Sequence, residues 1–355
     1  MPERFDAAVV GGGPAGATVA LSLVRRGWRV CLFERTGFDG ERYGETLPPE
    51  INPLLRELEV FEPFRALAPL ESPGIVSDWG GLRHEQDYLR NPHGSGWHVD
   101  RNRFDAMLCR QAADAGVECF ERYRAVVSRC KTGWWHVGEI HARVLVDASG
   151  RDGLRIDPGD ERETEDRLLA IVLRLTYPDG APPDLRTYVE SAPDGWWYSA
   201  PVPQGGMIAM FFTDCDLYSR QGLVLEQQLS GHSLTAGRLQ CAEAVKTRTV
   251  YVASSCRKAI SGEAWLAVGD SATSYDPLSG RGIFKAMRQG TNAAIAVDGF
   301  LRGNVGLLAD YAALVRAEFD AYVLQRREHY AAETRWQGRQ FWDKRRQSNA
   351  APFYG

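Results

Sequence analysis

Lysine is scarce in this chain of 355 residues; arginine far outnumbers it, and the first lysine is Lys131. Chemistry that needs a lysine amine early in the chain is thereby excluded. Long apolar runs are missing too. None approaches the ~20 residues that a membrane-spanning helix needs, and no basic-then-apolar segment precedes Phe5. A cytoplasmic protein without membrane association is the expectation. The cysteines Cys31, Cys109, Cys119, Cys130, Cys215, Cys241 and Cys256 are scattered, with no CxxC and no Cys/His ligand spacing. No metal site is expected, and reduced, mostly buried thiols are. The net charge of −4 is spread over mixed acids and bases, so nothing draws the chain to nucleic acid. Repeats and low-complexity stretches are absent.

What is present is an ordinary globular composition, 44% apolar, in a chain long enough for two domains. Ala7-Ala8-Val9-Val10 reads as a buried parallel strand and runs directly into Gly11-Gly12-Gly13-Pro14-Ala15-Gly16. A helix follows from Ala17 to Arg26, closed by Gly27, and Val30-Cys31-Leu32-Phe33 reads as a second strand ending at Glu34. Each part has a physical role. Gly11 permits the tight turn, Gly13 lets backbone approach a pyrophosphate, and Gly16 lets helix and strand pack closely. Free N–H groups at the helix start face the phosphates, and Glu34 stands where a carboxylate can accept from ribose hydroxyls. This unit reads as a dinucleotide-binding one; by itself it does not separate FAD from NAD.

Three later segments carry a resemblance that implies FAD. They are Arg42-Tyr43-Gly44-Glu45-Thr46-Leu47-Pro48-Pro49; Trp97-His98-Val99-Asp100-Arg101 with Phe104-Asp105; and Trp265-Leu266-Ala267-Val268-Gly269-Asp270-Ser271-Ala272 with Tyr275-Asp276-Pro277-Leu278-Ser279-Gly280-Arg281-Gly282-Ile283. Together, over nearly the whole chain, they resemble the para-hydroxybenzoate-hydroxylase-like flavoproteins, in the branch of the flavin-dependent halogenases and geranylgeranyl reductases. The resemblance implies an α/β FAD-binding Rossmann-like domain of glutathione-reductase type. An antiparallel β-sheet substrate domain and C-terminal helices complete the implied fold. It implies cofactor contacts from Gly11, Gly13, Ala15, Gly16, Glu34, Arg35, Arg42, Glu45, Thr46, Arg101, Gly269, Asp270, Pro277, Gly280, Gly282 and Ile283. Many relatives carry His soon after the Gly-Asp pair, where this chain has Thr273-Ser274-Tyr275. The Tyr275–Ser279 wording, Asn91-Pro92-His93-Gly94 with Gly96-Trp97-His98, and Gly195-Trp196-Trp197-Tyr198-Ser199-Ala200-Pro201 resemble a narrower group. That group matures tryptophylquinone cofactors, in the lysine tryptophylquinone oxidase and quinohemoprotein amine dehydrogenase systems, on a precursor polypeptide.

The expected FAD domain is discontinuous, 1–68, 97–162 and 257–300. The substrate domain takes 69–96 and 163–256, and a helical region takes 301–355. Strand-like runs at Leu168–Leu173 and Met207–Phe212, with turns at Tyr177–Gly180 and Pro203–Gly206, predict a sheet that roofs the flavin.

Three chemistries compete on this resemblance: oxygen transfer to an aromatic ring, halide oxidation with a lysine carrying the halogen, and hydride transfer to an alkene. The tryptophan halogenases have their lysine between the Gly-Glu motif and a following Trp. Here that stretch is Glu71-Ser72-Pro73-Gly74-Ile75-Val76-Ser77-Asp78-Trp79. Their Trp-x-Trp-x-Ile-Pro segment has no match, and the reductases' Tyr-x-Trp-x-Phe-Pro is matched only loosely. A monooxygenase acting on an electron-rich ring, an indole above all, is therefore the expectation. A small-molecule natural-product monooxygenase, a halogenase and a flavin-bound docking factor remain alternatives. Tyr275 and His98 are the catalytic candidates; Trp79, Trp197, Tyr198 and Arg281 are the substrate-binding ones. NAD(P)H directly, or reduced flavin from a separate reductase, would supply electrons. The turn-rich stretch His84–Gly96 is expected to rim an opening wide enough for a polypeptide.

Overall fold

The computed structural model describes residues 3–156, 160–177, 184–203, 205–220, 225–229, 233–240 and 242–347. The strand Glu3–Val10 is fully buried at its Ala7–Val10 end and pairs in parallel with Val30–Phe33 on one side and Ile140–Asp147 on the other. Trp265–Ala267 and Glu118–Phe120 extend this parallel array at either side. A strand buried on both faces reads as a continuous apolar run, which is why Val30–Phe33 has no polar alternation. The helices Pro14–Val24, Arg101–Asp114 and Gly282–Leu301 pack together beside the sheet. Gly290 allows the closest approach: a Cβ there would stand 2.8 Å from the Ala15 carbonyl oxygen.

A second sheet of seven strands runs in the order Glu243–Tyr251, Leu168–Thr176, Met207–Asp214, Gly195–Pro201, Thr187–Ala192, Gly74–Trp79, Leu82–Asp87. All neighbours are antiparallel except Thr187–Ala192 with Gly74–Trp79. Side chains alternate across a strand, so Trp196, Tyr198, Met210 and Phe212 share one face while Trp197 and Phe211 share the other. The chain ends its described course in the helices Leu307–Ala331 and Gln340–Gln347. They carry Tyr330, Phe341 and Trp342 into the core of the second sheet.

The α/β dinucleotide fold, the antiparallel-rich roof and the helical tail thus appear as the sequence implied. The helix expected over Ala17–Arg26 begins earlier, at Pro14, because proline suits the first helical position. The turns expected at Pro178–Gly180 and Gln204 lie outside the described residues. His84–Asp87 belongs to an exposed edge strand, Leu82–Asp87, and is not a turn-rich loop. No helix among the described residues is long and apolar enough to cross a membrane.

Candidate active site

Between the two sheets lies a cleft of about 750 Å³. Its floor is the Gly11–Ala15 turn and the loop Gly40–Thr46. One wall is the segment Asp270–Ile283, and the roof is the apolar face of the second sheet.

The floor is built for a pyrophosphate. Gly11 has φ +113, and a Cβ there would fall 2.1 Å from the Ala148 carbonyl oxygen. At Gly16 a Cβ would fall 1.9 Å from the Gly11 oxygen. At Gly13 it would meet nothing within 4 Å. Gly11 and Gly16 therefore serve the protein's own packing, whereas Gly13 leaves empty space on the cleft side. Neither Pro14–Val24 nor Gly282–Leu301 has a capping side chain, and both helix starts line the same cleft. Two uncapped N-termini in one cavity suit an anionic ligand. These features fit FAD, which Gly13 and the two helix starts would hold.

Acid–base pairs stiffen the floor. Glu34 accepts from the backbone N–H of Gly12 at 2.8 Å and of Thr36 at 2.9 Å, and from the Thr36 hydroxyl at 2.7 Å. Arg42 bridges Glu34 at 3.1 Å and Asp105 at 2.8 Å. Asp105, fully buried, also holds Arg101, whose guanidinium donates to the Tyr43 carbonyl. Asp100 caps the helix Arg101–Asp114 by accepting from Asn102 and Arg103.

Asp270 stands in a cationic setting, with Lys285 at 3.1 Å and Arg151 at 3.4 Å. Burial pushes its carboxyl up, but Lys285, Arg151 and Arg162 outweigh that and hold it below the usual carboxylate range. Desolvation lowers the affinity of Lys285 for its proton, partly offset by Asp270. The Tyr275 ring is stacked on Tyr322 at 3.9 Å, with the Lys285 ammonium 4.8 Å from its centroid. The tail grips the next residue: Arg326 and Tyr330 donate to Asp276 at 3.0 and 2.8 Å.

At the roof, Tyr198 and Thr46 hydroxyls are 2.7 Å apart, and Thr46 lies 3.3 Å from His98 Nδ1. His98 Nε2 is 2.7 Å from the Leu185 carbonyl. Burial lowers the His98 pKa to about 4, so the ring is neutral at neutral pH. Beside this chain Glu45 is buried, and its Oε1 has no hydrogen-bond partner among the described residues. Burial raises its pKa to about 7.

The structure brings Gly11, Gly13, Ala15, Glu34, Arg35, Arg42, Glu45, Thr46, Arg101, Asp270, Pro277, Gly280, Gly282 and Ile283 to the cleft lining, with Tyr198 and Tyr275. Gly16 and Gly269 lie behind it as packing positions; a Cβ on Gly269 would stand 2.8 Å from that of Ala15. Four chosen residues are placed elsewhere. Trp79 sits edge-on to Trp342 at 5.3 Å and donates to the His329 carbonyl, inside the tail's core. Trp197 is on the far face of the roof and donates to Gln228. Arg281 points outward to Glu50, and His98 is sealed behind Thr46. Lys285, Asp105, Arg151 and Arg162 were not singled out. Asp105 was legible in the Phe104-Asp105 wording, whereas Lys285 carries no local signal.

The cleft and the two sheets define an FAD-dependent oxidoreductase. A model of FAD-dependent oxidoreductases matches residues 6–46, and the tryptophan halogenase model matches residues 82–353. The chain belongs to the tryptophan halogenase family, a flavin-dependent enzyme class. Over its whole length it is similar to LodB of Marinomonas mediterranea, described as an FAD-dependent oxidoreductase, at 28% identity over 97% of each chain. It is 28% identical to tryptophan 2-halogenase of Chondromyces crocatus, covering 86% of this chain but 63% of that one. Among solved structures, the myxobacterial chondrochloren halogenase CndH superposes with a TM-score of 0.83 at 23% identity, over 98% of this chain and 88% of that one. The peptidyl tryptophan dihydroxylase QhpG, essential for tryptophylquinone cofactor biogenesis, superposes with a TM-score of 0.72 at 23% identity, over 96% and 78%.

Proposed function

We propose that the protein is an FAD-dependent monooxygenase that hydroxylates an electron-rich aromatic ring, an indole, on a Trp side chain of a partner polypeptide. The observation that carries the reading is the cleft lining. It offers an apolar roof of Ala170, Val172, Met210, Phe212, Val250 and Val252, and among the described residues no lysine. The family's halogen-carrying lysine thus has no counterpart there, and Lys285 is already bound to Asp270 and the Thr273 carbonyl. The superposition on the peptidyl tryptophan dihydroxylase QhpG supports the polypeptide substrate.

Reduced FAD, supplied by a separate reductase, provides with O₂ the electrophilic oxygen. The chain's own residues do the rest. Asp270, Arg101 and the two helix starts hold the cofactor, and Tyr275 forms a rigid wall. The roof excludes water and lays the ring flat by apolar contact. Glu45, poised near neutrality, takes up the proton that the ring loses. His98 acts indirectly, by orienting Thr46 and Tyr198. The test offers free Trp, small indoles and a candidate precursor polypeptide with reduced FAD, O₂ and chloride or bromide. A mass gain of oxygen on the polypeptide is expected. Halogen incorporation overturns the reaction, and efficient turnover of free Trp alone overturns the polypeptide substrate.

A further inference from the structure

We infer that Tyr198 selects ring substrates that carry an N–H, by accepting that hydrogen bond on its phenolic oxygen. The inference rests on the reading of the cleft as an aromatic-ring site and adds the recognition chemistry.

The direction of the hydrogen bonds follows from one backbone carbonyl. Leu185 O has only lone pairs, so His98 Nε2, 2.7 Å away, must carry the proton. A neutral imidazole then has a bare lone pair on Nδ1. Among the described residues the one group against Nδ1 is the Thr46 hydroxyl at 3.3 Å, so Thr46 donates. A hydroxyl has a single proton. Thr46 must therefore accept from Tyr198 at 2.7 Å, and it can accept from Thr187 at 3.3 Å as well. Tyr198 is left with its proton committed to Thr46 and with Thr46 as its sole hydrogen-bond partner among the described residues.

Tyr198 lines the cleft from the roof face that it shares with Met210 and Phe212, and Val172 lines the same cleft. The Tyr198 phenolic oxygen can accept and cannot donate without breaking the relay. An N–H-bearing ring satisfies it; a ring with an ether oxygen in the same place sets two acceptors against each other. The shared chemistry is a planar N–H donor, which an indole or the flavin ring itself can supply, and the experiment separates the two.

The FAD-loaded protein is titrated with indole, 1-methylindole, benzofuran and a Trp-bearing peptide, following the flavin absorbance. FAD affinity is measured in parallel on the wild type and on Tyr198→Phe and Thr46→Val. Wild type should favour indole over benzofuran by about tenfold, the value of one neutral hydrogen bond. Tyr198→Phe should bring the two within about twofold and leave FAD affinity unchanged. Thr46→Val frees the phenol proton, so benzofuran should gain relative to indole, an effect that lost packing alone does not give. Equal binding of indole and benzofuran by wild type overturns the inference. So does a Tyr198→Phe variant that keeps the preference, or one that loses FAD affinity instead. Failure of all three rings and of a Trp-bearing peptide to bind overturns the aromatic-ring reading itself.

Discussion

Replacing Glu45 by Gln should stabilise the FAD-free protein at alkaline pH and do little at acid pH. Glu45 is 3% exposed, and its Oε1 meets no donor among the described residues. Burial raises its pKa from 4.5 to about 7; its own and the Gly44 backbone N–H and the charges of Arg101 and Arg174 recover only part of the loss. The folded state thus holds the proton more tightly than the unfolded chain does. Stability present below about pH 4.5 is then lost as pH rises through about 7. At roughly 1.4 kcal/mol per tenfold change in proton affinity, the ionised form costs about 3 kcal/mol inside the fold. The Gln side chain has the same shape and no titration, so any contact it adds is the same at every pH. Urea unfolding of both proteins, without FAD, at pH 5 and pH 8 measures the effect. The stability difference should grow by up to about 3 kcal/mol between the two. A difference independent of pH refutes the tighter hold of this buried carboxyl on its proton.

Gly13→Val should fold with an unchanged melting temperature yet stay colourless in FAD, because its side chain enters only open cleft. Gly11→Ala should lose several kcal/mol of stability, roughly the 1–3 kcal/mol of backbone strain plus a clash with Ala148; equal behaviour of the two variants in a melting and FAD-uptake assay contradicts the division of roles. Lys285→Met leaves the half-buried Asp270 with Arg151 at 3.4 Å as its nearest cation, so a loss of roughly 1.5–3 kcal/mol, the value of a hydrogen bond to a charged group, is expected by urea unfolding. The His98 imidazole should remain neutral down to about pH 5, since burial holds its pKa at about 4; an NMR titration midpoint near the usual 6.5 contradicts its place behind Thr46.

Much of the floor was legible because its chemistry is local. Gly11, Gly13 and Gly16 act within one turn, and Glu34 follows on the next strand, so spacing alone carries the geometry. The roof was not legible in the same way. Trp197 and Tyr198 are adjacent on a strand and must point to opposite faces, so at most one of them can line the cleft. Which one does depends on the pairing with Met207–Asp214, a contact between distant segments. Trp79 was misplaced for a related reason. Its indole is claimed by Tyr330 and Trp342, some 250 residues later, and nothing near Trp79 announces them. Lys285 was missed because a lysine on an apolar helix face has meaning only once Asp270 is seen beneath it.

The grip of the C-terminal helix on Asp276 has a thermodynamic consequence. Arg326 and Tyr330 hold the loop that forms the flavin wall, and Tyr322 accepts from the Asp276 backbone while stacking on Tyr275. Tail docking and ligand binding therefore share one element, and linkage makes their influence mutual. A ligand that favours the closed loop must tighten the tail by the same factor by which the docked tail favours the ligand. Protease resistance of Leu307–Ala331 thus becomes a gauge of cleft occupancy. A partner that pulls the tail aside would act as a release lever for whatever the cleft holds.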